Sequence, residues 1–125
     1  LNIKINVKPK FFPPKDPHLP AKFTIAANLL GTKVLFGHEL LKQLWSEERD
    51  ISDEKNIEDI SVNFKINFKE LTTLAKSEKV SKIYTDNTKE AVEKNVFGSP
   101  TYIFNNELFW GQDRLEFLER ALKNA

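Results

Sequence analysis

The sequence predicts an α/β chain in which helix predominates, and three observations carry that prediction. Apolar residues recur at helical spacing through much of the interval from Pro20 to Asn95. Two short runs of strand character, Thr101 to Phe104 and Glu107 to Trp110, flank Asn105-Asn106, a pair that tolerates positive φ and suits a two-residue hairpin turn. After Gly111 a last helical pattern begins at Gln112 or Asp113 and sets Leu115, Leu118 and Leu122 on one face.

Taken in order, Leu1 to Val7 alternates apolar and polar residues with the period of a short strand. Pro9, Pro13, Pro14, Pro17 and Pro20 forbid regular structure until about Leu19, and the run reads as a stiff connector that packs Phe11 and Phe12 onto the core. Pro20 fits the first turn of a helix whose apolar side is Leu19, Phe23, Ala26, Ala27 and Leu30, with Gly31 as its stop. A second helix runs from about Lys33 to Glu48. Trp45 on it suits either a core or a ligand cleft, and its helical spacing favours the core. Ser52 or Asp53 is the N-cap of a short helix to about Ile60. Between Ser61 and Phe68 the alternation suits a strand, but Asn67 as cap of a helix through Leu71 and Leu74 is preferred. From Ser77 to Asn95 the pattern is helical again; Asn87 with Glu90 forms a capping box that would split it, the alternative being one long helix.

A chain of 125 residues with 40% hydrophobic and 30% charged residues suits one compact core. Its 19 basic and 18 acidic residues leave a net charge of +1, which argues against nucleic acid or a membrane surface as partner. No apolar run approaches membrane-spanning length. The absence of cysteine removes any disulfide, thiolate metal site or redox thiol supplied by these residues. His18 and His38 stand alone and do not make a zinc site, so no metal is expected. The start, Leu1-Asn2-Ile3-Lys4, has neither a signal-peptide pattern nor an initiator Met. A hairpin alone is marginal in water, so the helical block reads as an insertion into a sheet whose other strands lie outside the chain, and a fragment of a longer protein is expected.

Gly98-Ser99-Pro100-Thr101 and Phe109-Trp110-Gly111-Gln112-Asp113-Arg114-Leu115 resemble the 2-hydroxychromene-2-carboxylate isomerases and the related kappa-class glutathione transferases. So do Phe11-Phe12-Pro13-Pro14 with Leu19-Pro20-Ala21, the acidic turn Trp45 to Asp53, and Thr88-Lys89-Glu90-Ala91 ahead of Val96-Phe97-Gly98. The resemblance spans nearly the whole chain in the right order, and its Trp-Gly-Gln-Asp-Arg-Leu run is specific. It implies a DsbA-like thioredoxin fold with a helical insertion, here without the N-terminal strand–helix part. Residues 1–18 would be a strand and connector of the thioredoxin part, 19–95 the helical insertion, and 96–125 the C-terminal ββα half.

The resemblance further implies glutathione as cofactor. Pro100 would be cis, and the backbone of Ser99 would pair with the cysteinyl residue of glutathione as a one-residue strand addition. Gln112 and Asp113, at the start of the last helix, would take the γ-glutamyl carboxylate and ammonium. Without the resemblance, Pro100 reads as a turn proline and Asp113 as a helix-start residue. Gln112 leans toward the isomerases, since the kappa-type transferases typically carry Ser there. Phe11, Phe12 and Trp110 would line the pocket for a small aromatic or xenobiotic substrate. The serine that activates the thiol in this family, a cysteine in the DsbA relatives, lies upstream of Leu1. Ser46, Ser52, Ser61, Ser77 and Ser81 do not match it, so the chain is expected to hold no catalytic residue and to be inactive alone. A cytoplasmic setting is implied, and a homodimer stays open. The rival readings are a DsbA-like thiol–disulfide oxidoreductase, marked by an upstream Cys-x-x-Cys, and a non-catalytic helical interaction module.

Overall fold

A computed structural model of the chain describes residues 4–125. The chain folds as two compact units, the first closing at Thr85 and the second running Asp86–Ala125. In order, its elements are α1 (His18–Leu29), α2 (Leu35–Ser46), α3 (Glu54–Asn63), α4 (Phe68–Ala75), α5 (Glu78–Glu93), β1 (Thr101–Phe104), β2 (Glu107–Trp110), a 3₁₀ turn (Gln112–Arg114) and α6 (Leu115–Lys123). None of the described helices is long and apolar enough to cross a membrane.

The first unit is built on the apolar stripes of its helices. Phe23, Phe36, Ile57, Ile60, Leu71 and Val80 are fully buried, each worth about 1.5–3 kcal/mol of transfer free energy. Phe23 stacks on Phe68 and Phe36 tilts against Phe64. Local chemistry sets the helix ends. The Asp53 side chain accepts from the Lys55 amide, and the Asn67 side chain from the Glu70 amide, so each caps its helix as the sequence suggests. α1 starts two residues earlier than Pro20, because the Asp16 carboxylate takes the amides of His18 and Leu19. It ends at Gly31, whose φ of +96° closes a Schellman pair of bonds to Asn28 and Ala27.

The strand expected over Leu1–Val7 is corrected for its described part, Lys4 to Val7. Leu1 to Ile3 lie outside the described residues, and Lys4 to Val7 form no strand. The Asn6 amide instead donates to the Trp45 carbonyl at 2.7 Å, so this segment lies along the end of α2 rather than pairing with a strand. In the connector, the Phe12–Pro13 peptide is cis, the Phe12 ring lies 5.0 Å from Trp45, and Phe11 is half-buried against the core. Trp45 is itself half-buried, partly core as preferred. α5 is one continuous helix, so Asn87 and Glu90 do not divide it.

In the second unit β1 and β2 pair antiparallel, with Thr101 opposite Trp110 and Phe104 opposite Glu107. Asn105 and Asn106 have φ of 49° and 63°, the both-positive turn that matches strand twist. Phe109 is buried, while Tyr102, Ile103, Trp110, Phe117 and Leu122 keep large exposed areas.

Candidate glutathione-holding loop

The loop Gly98-Ser99-Pro100 is delivered by the end of α5. Asn95, at φ 56°, closes a Schellman motif in which Val96 N–H donates to Ala91 C=O at 2.8 Å and Asn95 N–H to Val92 C=O at 3.0 Å. The Ser99–Pro100 peptide is cis. Both residues are exposed. Among the described residues, no hydrogen bond engages the N–H or C=O of Ser99.

The residues on either side are held. Thr101 Oγ1 donates to Gly98 C=O at 2.6 Å, bridging the turn from within. Gly111 N–H donates to Pro100 C=O at 2.9 Å and ties the loop to the far end of the hairpin. Gly111 has φ +101°, a conformation open to glycine, and a Cβ there would lie 2.4 Å from Asp113 Oδ1. The Asp113 carboxylate is thus folded back over Gly111. It is mostly exposed, and it makes a long ion pair, 3.8 Å from Arg114 Nε.

Gln112 and Asp113 form the 3₁₀ turn that leads into α6. Arg114 N–H returns to Gly111 C=O at 3.2 Å, while among the described residues the amides of Gln112 and Asp113 have no backbone partner outside that turn. Two free donors and the helix dipole behind them suit an anion, and the adjacent carboxylate suits a cation. A peptide with an amino-acid zwitterion at one end would match this donor and acceptor set.

The hairpin register, with Thr101 opposite Trp110, and the Gly111–Pro100 hydrogen bond beyond it set the Ser99–Pro100 segment and the Gln112–Asp113 turn at the same end of the hairpin. Of the residues expected to line a substrate pocket, Trp110 stands in this unit, and Phe11 and Phe12 in the first. A hollow of about 370 Å³ beside the loop is lined by Phe97, Leu108, Trp110, Arg114 and Phe117, among others. Gly98, Thr101 and Gly111 join the site in the structure and do not stand out as site residues in the sequence. Their signal was adjacency alone: each flanks a residue that was singled out.

The chain is 41% identical over 49 residues to a 2-hydroxychromene-2-carboxylate isomerase of Pseudomonas sp. (strain C18), a match covering 39% of this chain and 23% of that relative. It is 46% identical over 39 residues to the enzyme of that name from Pseudomonas putida, covering 31% of this chain and 19% of the relative. The matched part thus spans about a quarter or less of these curated relatives. No solved structure matches. The model of the DSBA-like thioredoxin domain matches residues 2–123, and the chain belongs to that family.

Proposed function

We propose that the whole protein is a glutathione-dependent isomerase acting on a small aromatic or xenobiotic compound, and that the loop at Ser99 and the turn at Gln112–Asp113 hold the glutathione. The observation that carries this reading is the 2.9 Å bond from Gly111 N–H to Pro100 C=O. With it, the exposed Ser99 peptide edge and the turn at Gln112–Asp113 flank the same end of the hairpin, which supports reading them as one site. The isomerase assignment draws on the two Pseudomonas relatives, whose names state that activity. Bound glutathione would supply a thiol able to add to, and leave from, a conjugated double bond. The residues of this chain orient it: Ser99 with backbone N–H and C=O, the Gln112 and Asp113 amides with donors for a carboxylate, and the Asp113 side chain with a negative charge for an ammonium. The group that activates the thiol is not among the residues of this chain.

The experiment is calorimetric titration of glutathione into the whole protein and into its Asp113→Ala variant. Loss of one charge-assisted contact should weaken binding about tenfold. Equal affinities would remove Asp113 from the site, and no binding to the unaltered protein would remove glutathione. The family itself favours a second reading, a thiol–disulfide oxidoreductase. A Cys-x-x-Cys pair in the whole protein, with disulfide exchange and no isomerisation, would establish that reading instead.

A further inference from the structure

We propose that Trp110 is a positioning residue for the Ser99 loop, acting through its indole laid against Gly98; this rests on the glutathione reading above. A Cβ built on Gly98 would lie 2.3 Å from Trp110 Nε1, 3.0 Å from Cε2 and 3.1 Å from Cδ1. Any side chain there would have to displace the indole. Gly98 is not among the glycines with positive φ, which are Gly31 and Gly111. It is therefore not in the left-handed region, and it is the close approach of the indole that favours glycine here.

The contact is supported from both sides. The Phe97 ring lies 5.0 Å from the Trp110 ring at 59°, so the residue before Gly98 also packs on the indole. Trp110 sits opposite Thr101 in the hairpin register, and Thr101 Oγ1 holds the Gly98 carbonyl. Phe97, Gly98 and Thr101 are thus fixed by Trp110 or by one another, while Ser99 between them is free. Trp110 is also the residue before Gly111, whose amide holds Pro100. The dipeptide Trp110-Gly111 therefore sets both halves of the proposed site: its indole places the loop, and its next amide joins the loop to the Gln112–Asp113 turn. A binding constellation tolerates only about 0.5 Å of misplacement. A displaced indole moves the Ser99 peptide edge relative to Asp113.

The test is a double-mutant cycle on the whole protein, read as the glutathione dissociation constant by calorimetry. Gly98→Ala and Trp110→Ala should each weaken binding about tenfold, and Gly98→Ala should cost less than about twofold in the Trp110→Ala background, where the clash is gone. Additive losses, or unaltered affinity in either single variant, would overturn the proposal. A second readout needs no ligand. The chain has 2 tryptophans, so in this chain with Trp45→Phe the emission comes from Trp110 alone. Gly98→Ala should shift that emission to the red as the indole is pushed into water, and an unshifted spectrum would overturn the proposal. If the unaltered protein binds no glutathione, the role in glutathione placement fails with the parent reading, while the emission still decides the Gly98–Trp110 contact.

Discussion

Lys65 and Asn95 occupy the same position in different helices. Each stands just past the end of its helix with φ 56°, and each closes the same pair of backbone bonds: Ile66 to Ser61 and Lys65 to Val62 after α3, Val96 to Ala91 and Asn95 to Val92 after α5. Asparagine tolerates this left-handed conformation because its short polar side chain bonds locally, whereas lysine bears the full crowding of its Cβ, about 1–2 kcal/mol. Lys65→Gly should therefore raise stability by about 0.5–1 kcal/mol in urea denaturation, and Asn95→Gly by less. Glu48 also has φ 56°, but its carboxylate accepts from the Lys10 amide at 2.8 Å. Glu48→Gly would lose that bond and should gain nothing. If Lys65→Gly left stability unchanged, the left-handed strain assigned to it would be wrong.

α4 is the element most dependent on its cap. It has eight residues, too few to be stable alone, and the Asn67 side chain takes the Glu70 amide at 3.1 Å. Asn67→Ala should lower stability by about 1 kcal/mol, measured by thermal melting, and Asn67→Ser or Asn67→Asp should restore most of it. An Asn67→Ala variant as stable as the parent would mean that packing of Leu71 and Ala75 holds the helix without its cap. Caps of this kind were legible in the sequence because they are local, as was the hairpin, which needs only Asn105-Asn106 between two apolar runs. Pro20 does stand in the first turn of α1, but the role of Asp16 in setting that start was not legible, because it lies among prolines. Of the two readings of α5, the single long helix holds: Asn87 and Glu90 are exposed, no Pro or Gly interrupts Glu78–Glu93, and Thr85 Oγ1 bonds back to Ser81 C=O. Lys4 to Val7 form no strand because alternation describes a face and does not supply a partner. In the candidate site, Ser99, Pro100, Gln112 and Asp113 were legible from contiguous motifs, but the approach of Trp110 to Gly98 depends on hairpin register and packing, which a motif does not contain.

Across the molecule, the two units differ in how much apolar surface each buries by itself. The first unit gathers Phe23, Phe36, Leu40, Leu44, Ile57, Ile60, Leu71 and Val80 at 3% exposure or less. In the second, Phe109 is the one buried apolar residue among those described, while Ile103, Trp110, Phe117 and Leu122 lie between 38% and 54% exposed. A two-stranded hairpin with one helix is marginal on such a core. Protection against hydrogen exchange follows the free energy of local opening, and that free energy follows buried contact. In the 125-residue chain, amides of α1, α3 and α4 should therefore exchange slowest, close to the limit set by global unfolding. Those of β1, β2 and α6 should exchange at least about 30-fold faster, roughly 2 kcal/mol less protected. Exchange at low denaturant, read by mass spectrometry of fragments, separates the two populations. Equal protection in both units would show that Ile103, Phe117 and Leu122 are covered in solution, and the weaker core assigned to the second unit would then be wrong.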